Sequence, residues 1–281
     1  MTRRPVAQVA ASAPRSNGAQ ALITFLALAF GWTWGLWWIV GGLGPWPVPV
    51  TITLQLLSGM GPSVAGFMVV RGFDQGAGLR AWLRRCINWR IVPSWYALAF
   101  VGPPLVMLAA LAMHALLGGT LPPSPAAGQP GPVLLQFVVV LVLGGPLGEE
   151  FGWRGYALPA LSARLGWRWA SLTLGAVWAL WHVPLFYMPG MAQAGMPMAL
   201  FLGSSVALSV LFARLSVNTA FSVLPAVTLH WSVNAWSWAI PVTPRGGAIQ
   251  PYFLVMGLLF VIAVIVFCKP GPTTSHESLT S

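Results

Sequence analysis

Two adjacent glutamates, Glu149 and Glu150, lie inside the apolar stretch LGGPLGEEFGWRGYAL at 143–158. They are two of only four acidic residues in the chain, and the others, Asp74 and Glu277, fall in a loop and a tail. An ionisable group in a membrane span costs roughly 2.5–3.5 kcal/mol on insertion scales, so such groups are rare and default to function. Arg154 follows Glu150 by four residues, which puts the two on one helix face as a pair that offsets both burial costs. Glu149 points about 100° away around the helix. It is the freer carboxylate and the candidate general base.

Two further stretches carry groups that suit the same chemistry. In LGAVWALWHVPLFY, 174–187, His182 follows Trp178 by one helical turn, and Pro184 should distort the helix just beyond and free backbone carbonyls. In LPAVTLHWSVNAWSW, 224–238, His230 and Asn234 share a face at i, i+4, with Pro225 predicting a kink before them. A turn at ARLG, 163–166, would fold the first two stretches into a hairpin whose midpoint between Glu150 and His182 is Gly166. His182 lies 14 residues from Arg168 and His230 lies 13 from Val217. At 1.5 Å per residue both sit about 20 Å along their helices. Carboxylate, imidazole, imidazole and amide can then meet at one depth. A lone intramembrane His or Asn is more often a helix–helix hydrogen bond, and that is the reading for His114. The combination points to a functional site.

These residues need a membrane to be buried in, and the composition supplies the reason. Charged residues make up 6% of the 281, hydrophobic residues 57%, and the mean hydropathy is +0.77, whereas a soluble domain carries about 25% charge. This excludes a soluble enzyme, a disordered chain and a secreted disulfide scaffold. The net charge of +10 does not indicate nucleic acid, because the fourteen basic residues form no dense stripe with interleaved aromatics. Cys86 and Cys268 are far apart, and no C-x2-C metal spacing occurs.

The chain reads as an all-α polytopic bundle of about eight transmembrane helices, over 21–40, 50–70, 94–117, 133–158, 168–188, 196–214, 217–240 and 251–268. Seven or nine stand as alternatives. The first run is too long for a signal-peptide core and lacks a small-residue exit. The organisation is a polar basic tail at 1–20, N-terminal helices with a cytoplasmic amphipathic loop at 21–132, a core at 133–240, and a last helix with its tail at 241–281. With the N-terminus inside, twelve basic residues fall on the cytoplasmic side and only Arg245 outside, Arg154 being intramembrane. That bias places both termini in the cytoplasm of an integral cell-membrane protein. The loop 71–93, with Trp82 and Trp89, is expected to lie on the anionic inner surface. Most of the sixteen Trp read as interface anchors or packing.

At these residues the sequence resembles the CPBP family of intramembrane proteases, also called the Abi or CAAX-protease family. The family pattern is E-E-x-x-x-R, then F-x-x-x-H, then H-x-x-x-N or a related small or apolar ending. Glu149-Glu150-Phe-Gly-Trp-Arg154 matches the first, Trp178-x-x-x-His182 the second with Trp in place of Phe, and His230-x-x-x-Asn234 the third. The resemblance covers roughly 133–240. It implies an endopeptidase acting on a membrane-anchored, CAAX-like or hydrophobic peptide within the lipid bilayer. Glu149 and His182 would hold and activate the attacking water, and His230 and Asn234 would stabilise the oxyanion. Glu150, Arg154 and Trp178 would support them. Zinc held by Glu149, His182 and His230 stands beside metal-free water activation, although the H-E-x-x-H helix is absent and Asn is a poor zinc ligand. Two other functions stand as alternatives. An ion-coupled transporter would also use buried carboxylates, but no repeated half is visible. A non-catalytic immunity or maturation factor would keep the scaffold without needing Glu149 or His182.

Overall fold

In hydrocarbon every backbone N–H and C=O must find an internal partner, and a helix supplies all of them. The computed structural model describes residues 18–73, 77–124, 126–128, 130–244 and 249–270. Among these the chain is all-helical, with no strand. In order the helices are α1 Gly18–Gly42, α2 Val48–Gly59, α3 Gly61–Phe73, α4 Ala77–Ile87, α5 Pro93–Leu116, α6 Pro130–Leu143, α7 Pro146–Gly152, α8 Leu158–Trp181, α9 Met198–Asn218, α10 Leu224–Ala239 and α11 Gln250–Cys268. A π-helical turn, Trp153–Ala157, joins α7 to α8, and 3₁₀ turns at Val183–Tyr187 and Ala192–Gly195 join α8 to α9. The outer faces are apolar, as a lipid-facing surface requires: Leu134 is 70% exposed and Val264 62%.

All eight expected segments are helical, but the count of eight spans is not what length and apolarity give. Among the described residues five helices qualify, or six if α2 and α3 are taken as one span bent by 47°. One apolar stretch, Gly131–Trp181, runs for 51 residues. The expected helix 133–158 is broken at Gly144–Gly145, where Gly145 has φ 103° and Pro146 opens α7. Proline has no N–H to continue the preceding ladder, and only glycine adopts that φ without strain. The chain turns again at Gly166 (φ 72°, ψ 160°), inside α8 and at the expected hairpin turn.

Two further boundaries differ from the sequence reading. α9 runs on to Asn218, and α10 begins at Leu224 rather than 217. Between them Ala220 and Phe221 take φ 51° and 58°. The turn is tied down by Val223 N–H donating to the Arg85 carbonyl (3.0 Å) and the Ser222 hydroxyl donating to that of Asn88 (2.6 Å). His230 is therefore six residues past the first residue of its helix, about 9 Å along it. Of the two tryptophans in the loop 71–93, one faces inward. Trp82 is buried and donates its indole N–H to the Phe151 carbonyl (3.2 Å), so α4 packs against α7, and Trp89 alone of the two is exposed.

His114 is helix glue, as expected, and its partner is now visible. Nδ1 lies 2.9 Å from Gln250 Oε1 and Nε2 lies 3.1 Å from the Thr120 carbonyl, which ties α5 to the start of α11. Both cysteines are free, Cys86 buried and Cys268 exposed.

Candidate active site

Glu149 sits in the first turn of α7, its N–H bonded to the Gly145 carbonyl (2.8 Å). Its carboxylate is buried. Oε2 accepts the indole N–H of Trp178 at 2.7 Å. A Cβ placed on Gly145 would meet Glu149 Oε1 and His230 Cε1. The missing side chain at 145 is therefore what lets the carboxylate and the imidazole close on one another.

Glu150, on the adjoining face, is fully buried and binds two partners through one oxygen. Oε1 lies 2.8 Å from Arg154 Nη1 and 2.7 Å from His230 Nδ1. The Glu150–Arg154 pair expected from i, i+4 spacing is present, with His230 added to it. The Arg154 guanidinium is held between two rings, with Cζ 3.7 Å from the Phe212 centroid and 4.4 Å from that of Trp178. Buried cations are tolerated when paired and when aromatic faces cover them. Arg154 lies in the π-helical turn, a local widening often found at functional sites.

His182 is not mid-helix. α8 ends at Trp181, and His182 is its C-cap, followed by the 3₁₀ turn that contains Pro184. Its Nδ1 lies 2.7 Å from the Trp178 carbonyl. A carbonyl only accepts, so Nδ1 carries the proton and Nε2 keeps a lone pair. The same reasoning applies to His230, whose Nδ1 donates to Glu150. A neutral His230 in this tautomer accepts at Nε2, and it donates to an oxyanion only as the imidazolium. Asn234 Nδ2 donates to the Gly144 carbonyl (3.0 Å) and retains a second N–H.

Trp178 is the hub of this arrangement. Its ring stands edge-on to His182, His230 and Phe212, at centroid separations of 5.3, 5.7 and 5.8 Å. All the sequence-predicted site residues are thus joined by direct contacts or short chains of contact. Glu149, Trp178, His182, His230 and Asn234 line one cavity of about 1140 Å³. The sequence reading missed Phe212, which stands in an ordinary apolar run and carries no distinguishing signal. It also missed the π-helical turn.

Close backbone packing holds α7 in place. A Cβ on Gly148 would strike the Gly59 carbonyl, and one on Gly152 would strike that of Pro62. The Ser63 hydroxyl donates to the Leu147 carbonyl (3.2 Å). Gly148-x-x-x-Gly152 is the small-residue spacing that lets membrane helices touch backbone to backbone. Among the described residues no three His, Cys, Asp or Glu side chains are grouped as metal ligands.

Fold and site together define a polytopic helical membrane protein with buried Glu and His side chains and a half-buried Asn around one cavity. Residues 131–236 match the family model described as type II CAAX prenyl endopeptidase Rce1-like. The chain is also similar to CAAX prenyl protease 2 of Methanococcus maripaludis, 26% identical over 190 residues, which is 65% of this chain and 66% of the relative. The match therefore spans just under two thirds of that protein's length. Both findings support the CPBP, or CAAX-protease, family for this chain.

Proposed function

We propose that the protein is an intramembrane endopeptidase that hydrolyses a peptide bond near the end of a membrane-anchored, prenylated peptide or protein. The observation that carries this reading is the buried Glu149 carboxylate, fixed through Oε2 by Trp178, in one cavity with His182, His230 and Asn234. Oε1 takes a proton from water, and the lone pair on His182 Nε2 orients that water by accepting its second hydrogen bond. The water oxygen attacks the carbonyl carbon. The oxyanion is met by the free N–H of Asn234, while the His230 Nδ1–H stays bonded to Glu150. The tetrahedral intermediate then collapses, the C–N bond breaks, and Glu149 returns its proton to the leaving amine.

The prenylated substrate class comes from the Methanococcus relative's name and from the family description. A largely apolar cavity of about 1140 Å³ is large enough for a lipid chain beside a peptide. The arginine distribution supports cytoplasmic termini. The test is cleavage of a synthetic farnesylated CAAX-ended peptide by protein in liposomes, read by mass spectrometry. Glu149→Gln should lower the rate by about a hundred- to ten-thousand-fold, the usual worth of a general base. Cleavage at the wild-type rate by Glu149→Gln would overturn the assignment.

A further inference from the structure

Five glutamines lie among the described residues, and three of them, Gln55, Gln136 and Gln193, line the cavity that holds Glu149. They come from three separate elements: α2, α6 and the 3₁₀ turn Ala192–Gly195. All three are half-buried, and their side-chain amides have no hydrogen-bond partner among the described residues. Gln250, outside the cavity, shows the usual structural use of a glutamine in a membrane bundle, because its Oε1 bonds His114 across helices (2.9 Å). The cavity glutamines do nothing of the kind.

Position makes the difference meaningful. α2 and α6 are both short helices that break at the level of the carboxylate. Gly59, at the end of α2, abuts Gly148 of α7, and the carbonyl of Gly144, just past α6, receives Asn234. Gln55 stands one turn before Gly59, and Gln136 two turns before Gly144. Both thus lie within two turns of backbone that packs around the carboxylate's helix, in the same cavity as Glu149.

A peptide bond can be hydrolysed only in a locally extended chain, and each extended residue carries one unpaired N–H and one unpaired C=O. Within the bilayer there is little water to satisfy them, so the protein must. A glutamine amide offers both donors and acceptors and matches a peptide group on either side. It reads the main chain and ignores side-chain identity. We propose that Gln55, Gln136 and Gln193 are a clamp for the main chain of the substrate peptide. This rests on the endopeptidase reading above.

The test uses full-length protein in nanodiscs carrying Glu149→Gln, so that bound peptide is not consumed. Gln55→Met, Gln136→Met and Gln193→Met are added one at a time, since methionine keeps the length and removes the amide. One probe is a fluorescent farnesylated CAAX-ended peptide. The other is farnesyl-cysteine methyl ester, which has the lipid but no extended chain. Each Met variant should raise the Kd for the peptide about three- to ten-fold, the worth of a neutral hydrogen bond, and leave the Kd for the ester unchanged. Unchanged peptide affinity in all three variants overturns the clamp. Equal weakening of both probes overturns it too, because it signals general damage to the cavity. If the protein without these changes neither binds nor cleaves the peptide, the endopeptidase reading fails and takes the clamp with it.

Discussion

The indole N–H of Trp178 donates a 2.7 Å hydrogen bond to Oε2 of Glu149, 29 positions earlier in the chain. This bond closes the hairpin about Gly166 and leaves Oε1 as the carboxylate oxygen toward His230 and the cavity. Phenylalanine, the residue of the family pattern at this place, could supply the ring but not the donor. Trp178→Phe should therefore keep the fold and lower kcat by roughly ten- to a hundred-fold, as expected for a hydrogen bond of about 1.5–3 kcal/mol to a charged group. Kinetics on the farnesylated peptide, with KM and kcat separated, would check this. An unchanged kcat would show that the bond positions nothing.

Arg154 pairs with the fully buried carboxylate of Glu150, and its guanidinium lies against the rings of Phe212 and Trp178. Arg154→Ala should destabilise the protein by about 3–5 kcal/mol, the usual consequence of stripping one partner from a buried pair. The double variant Glu150→Gln, Arg154→Met should lose less, since neither charge remains. Thermal melting in detergent compares the two, and equal melting points for wild type and Arg154→Ala would refute the buried pair as a stabilising element.

Gly152 has no room for a methyl group, because its Cβ would fall on the Pro62 backbone. Gly35, in α1, has open space around it. Gly152→Ala should lower the melting temperature by several degrees, while Gly35→Ala should leave it unchanged or raise it slightly through helix propensity. Opposite ranking of the two variants would mean that α7 is not held by backbone contact.

The two thiols should differ sharply in reactivity. Burial pushes the Cys86 thiol up to about 12, so almost none of it is thiolate at neutral pH. Cys268 is exposed at the end of α11. A maleimide should label Cys268 in the folded protein and reach Cys86 only after unfolding, as peptide mapping would report. A membrane-impermeant maleimide added to sealed inside-out vesicles should also reach Cys268, because the proposed topology puts that helix end in the cytoplasm. Labelling only from the opposite side would reverse the topology.

How far the site could be read from the chain differs residue by residue. Glu150 and Arg154 were legible as a pair because i, i+4 spacing on a helix is a local geometric fact. So were the shared face of His230 and Asn234 and the end of the helix near Pro184. The depth count for His230 failed in its premise. It assumed a helix starting at Val217, whereas the left-handed turn at Ala220–Phe221 and its ties to α4 start the helix at Leu224. Hydropathy is continuous across that turn and carries no mark of it. The break at Gly144–Gly145 was hidden likewise in a run that is apolar on both sides.

Composition placed this chain in a bilayer, because six charged residues in a hundred cannot solvate a globule, and apolar runs of about 20 residues made its spans helical. The rarity of intramembrane charge likewise singled out Glu149 and Glu150 without any coordinates. Only tertiary structure decided which oxygen of Glu149 is held, that His230 answers to Glu150, that Phe212 covers Arg154, and that three glutamines from distant segments face one cavity. Those relationships join residues tens of positions apart. They depend on how broken helices stack, which no local spacing encodes.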